Sequence, residues 1–141
     1  MYQIATLAFI AVFSSMSFSA SLHVSFKDLP SKKGEIKYLL FKDPKGFPDQ
    51  PEKSVKGGAL DLASSEAELT FEGLEPGEYA LSVFHDENKN EKLDTNFLGM
   101  PKESFGFSSN PRIYFGPPDF DDAAITVGDG TAVEVKLKKI L

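Results

Sequence analysis

From residue 20 onward the apolar positions recur every second residue. Leu22, Val24 and Phe26 alternate with His23, Ser25 and Lys27, and Ile36, Tyr38 and Leu40 alternate with Lys37, Leu39 and Phe41. The rhythm returns in Ala67, Leu69 and Phe71 against Glu68, Thr70 and Glu72, in Tyr79, Leu81 and Val83, in Ile125 with Val127, and in Val133, Val135 and Leu137 against Glu134, Lys136 and Lys138. A period of two puts alternate side chains on opposite faces of a strand, whereas a helix spaces its buried residues three or four apart. Residues 47–62 start as a loop and predict a short strand near Leu60; no segment carries a helical period. Gly128–Asp129–Gly130, between the last two apolar runs, predicts a hairpin turn. Six or seven short strands, each apolar on one face, must cover those faces against each other, so the pattern predicts an all-β, antiparallel sandwich of about seven strands.

The stretch "LEPGEY", Leu74 to Tyr79, places a turn-forming Pro76–Gly77 just ahead of a strand-opening tyrosine. That is the layout of a tyrosine corner, in which the phenol bonds back to upstream backbone, and it points to a Greek-key arrangement. An ordinary Pro-Gly turn would bend the chain in the same way.

The first twenty residues carry no charged side chain, are mostly apolar from Ile4 to Phe13, and then turn to small residues. This is the grammar of a secretory signal, although the n-region lacks Lys or Arg; the apolar run is too short to span a bilayer. A cut after Ser19 predicts a signal peptide over 1–19 and one domain over 20–141, exported to the periplasm or beyond, with no membrane span in the mature chain. The 21 acids against 15 bases give a net charge of -6, which repels phosphate backbones and disfavours nucleic-acid partners. With no cysteine, disulfides and thiolate chemistry are excluded, and two histidines are too few for a multi-histidine metal site.

The densest chemistry lies in "HDENKNEKLD", His85 to Asp94. Asp86, Asn88, Asn90 and Asp94 occupy positions 1, 3, 5 and 9 of an EF-hand-like loop, and the Lys92 carbonyl falls at position 7. Hard oxygens at alternate residues suit calcium, because a curled loop turns every second side chain inward. Glu91 replaces the glycine of the sixth position and Phe97 the glutamate of the twelfth, so a closing carboxylate would have to come from farther along, with Glu103 the nearest. The competing reading is an Asx-rich turn whose side chains bond their own backbone.

Residues 85–122 are too long for an ordinary connection and contain Phe97, Phe105, Phe107, Tyr114, Phe115 and Phe120. These aromatics could form a platform for a sugar, a peptide or an apolar ligand, but the reading preferred here is a small core that pins the loop, since six exposed rings would be an aggregation hazard. His85 with Asp86, Asp94 and Glu103 could serve as acid and base in a hydrolase-like site. No serine elbow or phosphate-cradling glycine loop accompanies them, and His85 is in phase with the inward face of its strand. The sequence thus reads as a calcium-stabilised binding or accessory module for a protein, peptide or glycan ligand. The alternatives are that enzyme and a purely structural envelope domain without metal.

The motifs "HDENxNxxLD", "GxPxExxGFS" and "GPPxFxDAA", with "FKDPKGFP" upstream, resemble the bacterial DUF2141 family over nearly the whole mature chain. The resemblance implies an exported single domain with a prealbumin-like or immunoglobulin-like β-sandwich, in a family without an established function. Members commonly read Asn-Gly where this chain has Asn90–Glu91.

Overall fold

The computed structural model describes residues 8, 10–14, 19–64 and 66–140. Most of the predicted leader, residues 1–19, lies outside them. Two sheets carry the chain, as the two-residue period predicts. The first has the order β4 (Glu68–Leu74), β1 (Ala20–Lys27), β8 (Thr131–Lys136). The second has the order β3 (Lys56–Asp61), β2 (Glu35–Phe41), β5 (Gly77–Asp86), β6 (Phe105–Phe107). β7 (Ile125–Val127) shares the edge of β5 with β6, pairing at 77–79 while β6 pairs at 82–84. Helix among the described residues is limited to a 3-10 turn, Pro51–Lys53, and one α-turn, α1 (Phe120–Ala123).

Three details differ from the sequence expectation. The described residues form eight strands rather than about seven. The addition, β6, lies inside the stretch read as a loop, and three residues are too few to display a period. One pair is parallel, β1 with β8, so the sandwich is not purely antiparallel. Gly128–Gly130 forms no β7–β8 hairpin. Gly130 donates its N–H to Ser21 Oγ at 3.1 Å and Ser21 donates to the Gly128 carbonyl at 3.0 Å, so the turn is tied to β1 and transfers the chain between sheets.

The main core lies between the sheets. Leu22 and Val24 of β1, Ile36 and Leu40 of β2, Leu81 and Val83 of β5 and Val135 of β8 are buried there. Each contributes about 1.5–3 kcal/mol through lost contact with water. Tyr79 donates its phenol O–H to the Glu75 carbonyl at 2.6 Å, which is the corner bond its sequence context predicts. Burial raises its pKa above that of a free phenol.

β2 and β5 are covered on their other faces as well. Phe41, Ala80, Phe105, Phe107, Phe120 and Ala123 form a second core outside the second sheet, with α1 as its lid. Gly106, between two phenylalanines that face this outer core, turns its bare α-carbon toward β8. A Cβ there would lie 2.8 Å from the Lys136 carbonyl oxygen, so only glycine lets β6 and β8 approach this closely. Beyond that point Phe105 and Lys138 exchange backbone hydrogen bonds at 2.9 and 2.7 Å, linking the two sheets along one edge.

Candidate functional site

The acidic loop springs from the end of β5, where the chain is held firmly. His85 is fully buried; its N–H donates to the Ser104 carbonyl at 2.8 Å, and Nε2 lies 2.6 Å from the Lys33 carbonyl, which fixes the proton on Nε2. Nδ1 has no hydrogen-bond partner among the described residues; Glu87 Oε1 is 3.8 Å away. Gly34, at φ +71, packs so tightly beneath that a Cβ would lie 2.1 Å from the Asp86 carbonyl oxygen.

From there Lys89 (φ 54) and Glu91 (φ 65) take left-handed backbone conformations, which curl the loop on itself. Such a conformation costs a non-glycine residue about 1–2 kcal/mol, and the bonds inside the loop offset it. Asp86, fully buried, accepts the N–H groups of Asn90 at 3.2 Å and Glu91 at 2.7 Å. Asn88 Oδ1 accepts the Asn90 N–H at 3.3 Å, and Asn90 Oδ1 accepts the Lys92 N–H at 3.0 Å. The amide nitrogens of Asn88 and Asn90 donate to the two carboxylate oxygens of Asp94 at 2.8 and 2.7 Å.

Of the predicted residues, Asn88 and Asn90 converge on Asp94, while Asp86 holds the backbone of Asn90 and Glu91. Lys92 enters the network through its N–H rather than its carbonyl. The side-chain oxygens are engaged by N–H donors of the loop itself, which is the Asx-turn arrangement. Among the described residues no three histidine, aspartate or glutamate side chains are gathered as a metal-holding group.

Glu103 closes the loop from behind. Its carboxyl, nearly buried, accepts the Asp94 N–H and the Glu87 N–H, each at 3.0 Å, and so ties the loop's two ends together. Burial raises its pKa above the ordinary glutamate value, and the charges of Asp94 and Asp86 push the same way. Asp94 is held below the ordinary aspartate value, first by the Asn90 amide and then by that of Asn88.

The residues match a protein-family model described as an uncharacterised protein conserved in bacteria, over residues 24–136. The chain belongs to the DUF2141 family. No curated protein and no solved structure matches it. The DUF2141 match begins within β1 at Val24, takes in the other strands and the whole acidic loop, and ends at Lys136, the last residue of β8.

The aromatics of this DUF2141 chain divide into two sets. Phe105, Phe107 and Phe120 pack into the outer core, as the packing reading requires. Phe97, Tyr114 and Phe115 do not: they are 94%, 75% and 100% exposed. They sit on loops flanking a groove of ≈ 1130 Å³ over the outer face of the second sheet, whose wall includes Glu91 and Leu93 of the acidic loop. Sequence reading missed this groove. The one signal was "YLLF" at 38–41, apolar at both phases, which marks a strand covered on both faces.

Proposed function

We propose that the protein is an exported β-sandwich, of Greek-key and prealbumin-like or immunoglobulin-like topology, acting as a calcium-stabilised binding or accessory module of the cell envelope. The observation that carries the calcium reading is the convergence of Asn88 and Asn90 on the Asp94 carboxylate, whose backbone N–H is held in turn by Glu103. The charges of Asp94 and Asp86 both bear on the Glu103 carboxyl, and a cation would relieve that repulsion. Rotating the two amides would present oxygen in place of nitrogen, and Asp86 and the Lys92 carbonyl stand on the same loop. Two or three carboxylates with neutral amides suit a weak extracellular site, with a Kd of about 10⁻⁴–10⁻³ M. Binding is preferred to catalysis because His85, the one histidine near the acids, is sealed from solvent and spent on the Lys33 carbonyl.

A metal-free structural role is the second reading, and one observation favours it: the Asx oxygens already have N–H partners. Calorimetric titration of calcium separates the two. The expected result is saturable binding in the stated range, lost in Asp94→Asn and weakening as pH falls and Glu103, whose pKa is raised, takes up its proton. Without metal, a raised Glu103 pKa means that the folded state holds the extra proton, so stability falls as pH rises from the ordinary glutamate value through the raised one. Calcium should cancel that loss. No heat of binding at millimolar calcium would leave the structural reading standing.

A further inference from the structure

The groove over the second sheet has a definite floor. Cross-strand pairing sets Ala59, Lys37, Phe84, Phe105 and Lys138 in one row and Gly57, Leu39, Ser82 and Phe107 in the next. Paired residues project to the same face. Two phenyl rings therefore lie between two lysines, with backbones three strand spacings, about 14 Å, apart. Gly57 and Ser82 give the second row its depth; a Cβ on Gly57 would already press on Leu39 at 2.9 Å. Leu93, Met100, Ile113 and Tyr114 also line it.

The charge at this face is opposite to that of the chain. Lys37, Lys138 and Lys139 line the groove against only Asp49 and Glu91, in a protein of net charge -6. Lys37, with 27% of its side chain exposed, is matched by Glu91 at 3.7 Å. Lys138 and Lys139 have no ion-pair partner among the described residues. Other hydrogen-bonding side chains are scarce: two serines and two tyrosines line the groove, and neither an amide nor a guanidinium does. A sugar would find few partners. A peptide laid across the face would find no ladder to join, because β2 pairs on both edges and β5 is flanked by β2 and β6. What the groove offers is apolar contact ending at free ammonium groups.

We propose that this groove binds long-chain carboxylates, with the acyl chain across Leu39, Phe84 and Phe105 and the carboxylate at Lys138 and Lys139. The proposal rests on the binding-module reading and names its ligand class. It also accounts for Phe97 and Phe115, whose exposed rings neighbour the groove-lining Gly99, Tyr114 and Gly116 and would cover the chain's free side. Exposed apolar side chains at a groove's rim mark a surface meant to be covered.

The test is calorimetric titration of the purified protein with palmitate below its micelle concentration, beside hexadecanol, which has the same chain without the charge. Palmitate is expected to bind at one site with a negative heat-capacity change. Hexadecanol, and palmitate added to the Lys138→Gln/Lys139→Gln protein, should bind at least about tenfold more weakly, the loss of one charge-assisted contact. Ser82→Trp, which fills the groove from a half-exposed position, should abolish binding with the circular dichroism of the fold retained. Failure of palmitate to bind, equal affinity for hexadecanol, insensitivity to Ser82→Trp, or association only with phosphatidylglycerol vesicles would each overturn the proposal. Titrating palmitate in chelator and calcium in a separate, palmitate-free series keeps the two ideas apart. Palmitate binding without any calcium effect retains the groove and removes the metal; a calcium response without palmitate binding does the reverse.

Discussion

Asp86→Ala is expected to lower the unfolding free energy by about 3 kcal/mol. The carboxylate is completely buried and accepts two N–H groups, at 2.7 and 3.2 Å, from the loop it begins. Truncation leaves the Glu91 N–H facing a cavity and the Asn90 N–H with only its 3.3 Å bond to Asn88 Oδ1, and a buried donor without a partner costs about 1–3 kcal/mol. The same bonds stabilise the left-handed Glu91, so the loop should lose its curl together with its anchor. Urea denaturation with an unchanged m-value reads the effect directly. Asp86→Asn, which keeps one acceptor oxygen, should lose about half as much. A loss under about 1 kcal/mol for the alanine variant would mean that the loop is not built around Asp86.

Gly34→Ala should be at least as damaging, at about 3 kcal/mol or more, through a different cause. The added Cβ would lie 2.1 Å from the Asp86 carbonyl oxygen and 2.7 Å from the Glu87 Cα. Both are backbone atoms, so no rotamer change relieves the contact, and φ +71 adds about 1–2 kcal/mol of left-handed strain. Gly130→Ala is the matched control. Its φ is similar at +67 but nothing lies within 4 Å of the added carbon, so only the strain should appear. If the two variants lose equal stability, the close packing of the β1–β2 connection under the acidic loop is wrong.

Much of the fold was legible because burial of one strand face imposes a period of two. Leu22–Val24–Phe26 and Tyr79–Leu81–Val83 each face the main core as their alternation requires. The tyrosine corner was legible too, since a proline, a glycine and a tyrosine in fixed order leave the phenol few places to go. What the chain hid were features fixed by distant partners. The parallel β1–β8 pairing depends on Ser21 capturing the Gly128–Gly130 turn, more than a hundred residues away in sequence. β6 escaped notice because its meaning lies in Gly106 meeting Lys136, a contact without local signature.

At the acidic loop the sequence identified the residues that gather, but not how they gather. Alternate spacing put Asp86, Asn88, Asn90 and Asp94 together, and the structure links them through one loop, Asn88 and Asn90 to Asp94 and Asp86 to the Asn90 backbone. That Asn amides would turn nitrogen rather than oxygen toward Asp94 depends on where the Asn90 and Lys92 N–H groups point, which spacing does not encode. Glu91 was the informative departure: a glutamate holds the left-handed position that a glycine would take without strain, and its side chain reaches Lys37 on the groove floor. The groove itself was invisible, because Lys37 and Phe84 come from separate strands and Lys138 from a bridge beyond β8, which only pairing aligns.

The proposed closing of the acidic loop around a divalent cation is addressed most directly by thermal melting of the unsubstituted protein in chelator and in about 10 mM calcium. A site with a Kd of about 10⁻⁴–10⁻³ M filled at that concentration stabilises the fold by about 1.4–2.7 kcal/mol, a rise of roughly 5–10 °C for a domain of this size. That rise, absent in Asp94→Asn, is the predicted result. Coincident melting curves with and without calcium would contradict it.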